Sequence, residues 1–195
     1  MKAAIFMGSP RKKGNTAQCL TPFCEELSRS GAAYTVTWLY DKTISPCIAC
    51  RGCQKDWSGF NCVIADDMQD IAVQVMDSDL IVLATPIYSW YCTAPMKAML
   101  DRLVYGLNKY YGEEVGPSLW AGKRLAVFTT CGYKPEHGAD LFVAGMRRYC
   151  KHSKLTYVGL FAERHLGYNT VFMDEKKADH ARQFARDMVQ ACSLG

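Results

Sequence analysis

The sequence predicts an α/β fold: a five-stranded parallel sheet in the order 2-1-3-4-5, covered by helices on both faces as a three-layer sandwich. Three observations predict it. Apolar runs alternate with amphipathic stretches along the whole chain, the pattern of strands linked by crossover helices. Several runs, such as Leu80-Ile81-Val82-Leu83-Ala84, are apolar at every position, as strands buried on both faces must be. The first run, Lys2–Met7, ends in a loop of small, hydroxyl and basic residues that opens onto a helix. Right-handed crossovers then favour the doubly wound arrangement, with its switch point between strands one and three.

Each element follows in order. Lys2–Met7 reads as the first strand, and residues 16–30 as a helix closed by Gly31, with Pro22 inside it. Residues 34–40, β-branched and aromatic, make the second strand. An irregular, cysteine-bearing segment of about 20 residues precedes a helix at 66–77, with Asp66 or Asp67 as its N-cap. Residues 80–84 form the third strand and 95–104 a helix with Pro95 in its first turn. Residues 105–122 read as a long loop. Strands at 125–130 and 155–161 and helices at 141–152 and 175–192 complete the chain. With 195 residues and no linker or repeat, residues 1–195 are expected to form one domain.

Composition narrows the function classes. Hydrophobic residues are 49% and charged residues 22%, a normal globular balance. No apolar run approaches the roughly 18 residues of a membrane span, and no secretory h-region precedes the first strand, so a cytoplasmic protein is expected. The net charge of +4 is dispersed except at Arg11-Lys12-Lys13, which argues against a nucleic-acid partner. In such a compartment ten cysteines mean reduced thiols, metal ligands or redox groups rather than a disulfide framework.

The loop Gly8-Ser9-Pro10-Arg11-Lys12-Lys13-Gly14-Asn15-Thr16 combines free backbone N–H groups, a helix N-terminus, side-chain donors and positive charge, which suits an anion. It lacks the Lys-Ser/Thr pair of a triphosphate loop. It also lacks the third glycine and the later acidic residue of a dinucleotide fingerprint. A terminal monophosphate fits better, with an ordinary Gly-Ser-Pro turn as the alternative. Ligands of such sheets sit beyond the carboxyl ends of the strands, which points to loops 8–16, 85–92 and 130–138. In the second, Pro86 restricts the backbone at the strand end, while Tyr88, Trp90 and Tyr91 offer aromatic faces to a planar heterocycle or simply fill space.

Taken together, Gly8-Ser9-Pro10-Arg11 with Gly14-Asn15-Thr16, the stretch from Asp79 through Thr85-Pro86-Ile87-Tyr88, and Pro95-Met96-Lys97-Ala98-Met99-Leu100-Asp101-Arg102 resemble NAD(P)H-dependent FMN reductases of the flavodoxin-like superfamily. The resemblance covers roughly the first 105 residues. It implies that Ser9, Arg11, Asn15 and Thr16 hold the FMN phosphate, and that Pro86, Ile87, Tyr88 and Ser89 border the isoalloxazine. Thr130, Cys131, Gly132 and Tyr133 would lie along its other side, Gly132 permitting close backbone approach. NAD(P)H is then the co-substrate, and a quinone, flavin, nitroaromatic or similar small molecule the acceptor. Hydride chemistry belongs to the cofactor, so no catalytic side chain is named, and His137 is at most a neighbour. A homodimer or higher homo-oligomer is implied by the same resemblance, with the loop at 105–120 as a candidate contact. A flavodoxin-like shuttle without a nicotinamide site is a third alternative, against which the positive net charge counts.

Cys47, Cys50, Cys53 and Cys62 form C-x2-C-x2-C-x8-C, a spacing that suits an iron–sulfur cluster or zinc. It resembles the cysteine motif of iron–sulfur flavoproteins, which carry a [4Fe–4S] cluster, although in that branch the fourth cysteine follows more closely. Reduced thiols packing a loop are the competing reading. Cys19, Cys24, Cys92, Cys150 and Cys192 are scattered and read as small hydrophobes.

Overall fold

Strand β1 (Lys2–Met7) pairs on one side with β2 (Ala33–Trp38) and on the other with β3 (Leu80–Pro86). Beyond β3 lie β4 (Arg124–Cys131) and β5 (Thr156–Arg164), giving a wholly parallel sheet ordered β2-β1-β3-β4-β5, as the sequence predicts. The computed structural model describes residues 1–167 and 169–193. The helices are α1 (Asn15–Arg29), α2 (Met68–Met76), α3 (Ala94–Leu107), the short α4 (Pro135–Gly138), α5 (Asp140–Ser153) and α6 (Glu175–Ser193).

The alternation of side chains along each strand builds the two cores. Ala3, Ile5 and Met7 of β1, Leu80, Val82 and Ala84 of β3, and Ala126 and Phe128 of β4 pack with Phe23 and Leu27 of α1 and Phe184 and Met188 of α6. Their neighbours Ala4, Phe6, Ile81, Leu83, Leu125 and Val127 face α2, α3 and α5. Both faces are covered, so β3 is buried at all seven positions. Among the described residues no helix is long and apolar enough to cross a membrane.

The structure differs from expectation mainly where tertiary contacts extend or cut an element. β3 runs two residues further, to Pro86, and β4 extends one residue at each end of the expected 125–130, so Cys131 is a strand residue rather than loop. β2 stops at Trp38 and turns into a 3-10 helix at Leu39–Asp41. Helix α2 begins at Met68, whose N–H donates to Asp66 Oδ1 (3.1 Å), while Asp67, at the N-cap position, makes no side-chain capping bond. Asp67 accepts the Thr43 N–H and pairs with Lys42, while Asp66 serves Arg102. Pro22 does stand within α1, buried against the core.

The region expected as a loop at 105–122 is partly interior. Helix α3 continues to Leu107, and Trp120 is buried, its indole N–H donating to Asn108 Oδ1 at 2.8 Å. The cysteine-bearing segment is docked onto this region. Phe60 lies over Gly106, where a Cβ would stand 2.3 Å from its ring. The buried Lys109 ammonium donates to the carbonyls of Cys53 (2.8 Å) and Gly59 (2.7 Å). The Arg102–Asp66 ion pair, 2.9 Å long and almost fully buried, holds the segment's far end.

Candidate functional site

All three predicted loops lie together beyond the carboxyl edge of the sheet. At the first, the Gly8 N–H donates to Ala84 O of β3 (2.7 Å), tying the loop to the neighbouring strand. A Cβ at Gly8 would come within 2.8 Å of Thr93 Oγ1, so the close packing of this turn against α3 requires glycine. The loop folds back at Gly14, whose N–H donates to Arg11 O (3.0 Å). Helix α1 then starts at Asn15 with no side-chain cap and no acidic residue in its first turn. Its positive end is therefore left to serve an anion from outside the helix.

The residues named for that anion separate into two groups. Arg11 and Asn15 line a cavity of about 380 Å3, together with Pro86, Ile87, Tyr88, Thr130 and Cys131. Ser9 and Thr16 stand behind that lining and are buried. Ser9 Oγ accepts the Arg11 N–H (3.2 Å) and braces the loop, and Thr16 Oγ1 lies 2.7 Å from Thr130 Oγ1. Lys12 is turned aside, its ammonium over the Trp38 ring at 4.1 Å and paired with Asp41.

The second loop is a tight hairpin. Ile87 N–H donates to Thr130 O (2.9 Å), and Tyr88 and Tyr91 exchange two backbone hydrogen bonds of 2.9 and 3.0 Å. The two central residues, Ser89 and Trp90, both have positive φ (49° and 66°), the turn geometry that glycine and asparagine normally supply. The Trp90 ring stacks on Tyr133 of the third loop, with centroids 6.0 Å apart and planes 9° from parallel. Its indole N–H donates to the carbonyl of His137 (3.1 Å). His137 is thus a neighbour of the site through its backbone.

A second cavity, of about 440 Å3, is lined by Ile87, Tyr88, Ser89, Trp90, Cys131, Gly132, Tyr133, Gly138 and His165. It shares Ile87, Tyr88, Cys131 and His165 with the first, so the two form one groove with a basic end and an aromatic end. A Cβ at Gly132 would lie 3.4 Å from His165 Nε2, so the close neighbour there is the histidine ring.

His165, Gly167, Thr170 and Phe172 close the groove from the segment after β5, and sequence reasoning missed them all. Only their place after the fifth strand could have signalled them. His165 is held by its N–H to Cys131 O (3.0 Å), and Arg164 donates to Gly132 O (3.1 Å).

The four cysteines of the C-x2-C-x2-C-x8-C motif line a separate cavity of about 20 Å3 with Arg102 and Tyr105. Ala49 and Arg51 take left-handed conformations (φ 52° and 58°), turning the loop so that Ala49 N–H reaches Cys47 Sγ at 3.4 Å. Arg102 Nε is buried without a hydrogen-bond partner. Burial raises the Cys53 thiol above its usual range, and Gln54 and Lys109 oppose that shift. The donors suit a thiolate-ligated group, whereas the space holds about one water-sized body. Among the described residues no three His, Cys, Asp or Glu side chains gather closely enough to hold a single metal ion. Cys19, Cys24 and Cys150 are buried, which pushes each thiol to about 12 and makes it a packing group.

The family model described as NADPH-dependent FMN reductase matches residues 1–158. An iron-sulfur flavoprotein of Archaeoglobus fulgidus is 37% identical over 128 residues, covering 63% of this chain and 57% of the relative. An iron-sulfur flavoprotein of Methanosarcina thermophila is 31% identical over 125 residues, 63% of each chain. The matched stretches thus span less than two thirds of either relative. Among solved structures, the NAD(P)H:quinone oxidoreductase from Methanothermobacter marburgensis superposes with a TM-score of 0.73 at 18% identity, covering 96% of this chain and 98% of that one, a likeness of fold.

Proposed function

The chain belongs to the NADPH-dependent FMN reductase family, and from that premise we propose that it is an FMN-dependent oxidoreductase, passing a hydride from NAD(P)H to a quinone or similar small acceptor. The observation that carries the reading is the single groove at the switch point, basic at Arg11 and Asn15 and aromatic at Tyr88, Trp90 and Tyr133. FMN is amphipathic in the same sense, a phosphate at one end and a planar ring at the other.

Arg11, Asn15 and the N-terminus of α1 would hold the phosphate. Ser9 and Thr16 keep those donors in position rather than reaching the ligand themselves. Pro86, Ile87, Tyr88 and Ser89 would border one side of the ring, and Thr130, Cys131, Gly132 and Tyr133 the other. Bound FMN supplies the hydride-accepting centre between nicotinamide and acceptor. The chain's own residues orient the two partners and narrow the access of water. The test is an absorbance titration. FMN is expected to bind near 1:1 with a perturbed flavin spectrum, and NADH or NADPH to bleach it. A protein that takes up no FMN overturns the reading.

A second reading, an iron–sulfur flavoprotein, is favoured by Cys47, Cys50, Cys53 and Cys62 sharing one cavity with the unpartnered Arg102 Nε. Those thiolates would hold a [4Fe–4S] cluster, which would supply one-electron transfer. The segment has to open to admit it, because the cavity is water-sized. Assays of iron and acid-labile sulfide on anaerobically purified protein decide between the two readings.

A further inference from the structure

We propose that Arg102 is a positioning residue of the cysteine pocket, its Nε–H reserved for the Cys62 sulfur when Cys47, Cys50, Cys53 and Cys62 hold a cluster. The inference rests on the iron–sulfur reading above. A guanidinium carries five N–H donors in a rigid planar fork. In Arg102 both terminal nitrogens are fully engaged. Nη1 donates to Ser45 O (3.0 Å) and Asp66 Oδ2 (2.9 Å), and Nη2 to Ile64 O (3.2 Å) and Asp66 Oδ1 (3.1 Å). Only Nε–H is left over. Among the described residues it has no hydrogen-bond partner, in a side chain 1% exposed that lines the pocket with all four cysteines. A buried donor without an acceptor is destabilising, so it calls for an acceptor that the occupied site supplies. Cys62 lies near enough to act on the guanidinium's charge, which makes its sulfur the acceptor at hand.

The same contacts account for the long gap before the fourth cysteine. Ser45 precedes the first cysteine and Ile64 and Asp66 follow the last, so Arg102 grips both ends of the loop at once. Between those ends Gly52 packs on Val63, where a Cβ would stand 2.5 Å from Cγ1. Gln69 of α2 donates to the carbonyls of Cys62 (3.2 Å) and Ile64 (3.0 Å). Cys62 is thereby fixed to the body of the fold. Cys47 and Cys50 instead sit at the turn with left-handed Ala49 and Arg51, and Cys50 is exposed. Tertiary contacts, rather than spacing, return the late cysteine to the other three. The arm that moves to admit a cluster is then the one around Cys47 and Cys50, and the side with Arg102 and Cys62 is preformed.

The sign of one effect separates this role from a purely structural one. A hydrogen bond and a positive charge at a ligating sulfur favour the state with more electrons, so Nε–H raises the reduction potential. Losing that bond lowers it. Loosening the loop does the opposite, because the water let in solvates the more negative reduced state better.

The experiment uses the full chain purified anaerobically, with iron and acid-labile sulfide assayed and the midpoint potential read from an EPR-monitored dithionite titration. Arg102→Lys keeps a cation beside Asp66 but presents no donor at the Nε position. It is expected to retain iron while its reduction equilibrium weakens about tenfold, a midpoint about 59 mV lower for one electron. Arg102→Met combined with Asp66→Leu removes both buried charges and strands neither, so it serves if the lysine variant fails to fold. The same downward shift is expected there. A midpoint that is unchanged or raised overturns the proposal. Loss of iron from both variants also overturns it, because Arg102 is then a loop clamp alone. Wild-type protein holding neither iron nor sulfide overturns the iron–sulfur reading itself, and the proposal with it, while FMN uptake by that protein keeps the oxidoreductase reading standing.

Discussion

The hydroxyls of Thr16 and Thr130, 114 residues apart in sequence, lie 2.7 Å from each other in the interior. One belongs to the first turn of α1 and the other to the end of β4, so the bond fixes the phosphate-type loop against the opposite wall of the groove. Replacing one partner leaves a buried hydroxyl unpaired, at a cost of about 1–3 kcal/mol, while replacing both with valine removes the mismatch. Thr130→Val and Thr16→Val are each expected to lower stability, and the double variant to lose less than their sum. A urea-denaturation double-mutant cycle measures this, and strict additivity contradicts the bond.

The basic end of the groove assigns different work to its donors. Arg11→Ala with Asn15→Ala is expected to weaken FMN binding by about 10- to 100-fold, the worth of a charge-assisted hydrogen bond of about 1.5–3 kcal/mol. Ser9→Ala should weaken it less, because Ser9 braces the Arg11 N–H. Quenching of FMN fluorescence on titration gives the affinities. If Ser9→Ala alone has the larger effect, Ser9 reaches the phosphate directly.

Arg102 and Asp66 anchor the cysteine-bearing segment through a buried pair. Burial opposes ionisation of Asp66, but hydrogen bonds from Arg102 and from the N–H groups of Ser45 and Met68 outweigh it and hold the carboxyl below its usual range. A carboxyl with a depressed folded pKa contributes its stability fully above the unfolded value of about 3.9 and loses it as pH falls through the folded value. Arg102→Met is expected to cost about 3–5 kcal/mol at pH 7 by stranding a buried carboxylate. That penalty should shrink below pH 4, where Asp66 can protonate in the variant. Denaturation midpoints at pH 7 and pH 3.5 measure the difference; an equal loss at both pH values removes the electrostatic explanation.

Gly106 sits in α3, where alanine would ordinarily gain about 1 kcal/mol of helix propensity. Its added Cβ would meet the Phe60 ring at 2.3 Å, far inside contact distance. Overpacking of this kind costs about 1–3 kcal/mol, so Gly106→Ala is expected to destabilise. In a Phe60→Ala background the same change should become neutral or favourable. Thermal melts of the four proteins check the reversal of sign.

Much of the fold was legible because strands buried on both faces must be apolar throughout and helices between them must be amphipathic. Leu80 through Ala84 could only be a central strand, and the loops at Gly8 and Pro86 had to meet once the order was known. The ends of β3 and β4 were not legible. Pro86 and Cys131 join the strands because the neighbouring strand supplies hydrogen-bond partners there. Trp120 and Lys109, in a stretch that reads as surface loop, are interior because Asn108, Cys53 and Gly59 provide acceptors no local pattern reveals.

By itself, the sequence determined a parallel sheet covered on both faces, the three loops that build the groove and the kind of donors at its basic end. Short-range patterning carries that information, since buried strands and loop chemistry are written in consecutive residues. The tertiary structure alone decided which donors face the cavity. Thr16 turned to Thr130, Ser9 to Arg11, and His165 and Phe172 arrived from beyond the fifth strand. It also decided that Ser89 and Trp90 are held in left-handed geometry beneath a stacked pair of rings. Each of these outcomes rests on a hydrogen bond or contact between distant segments, whose partner exists only once the sheet has brought them together.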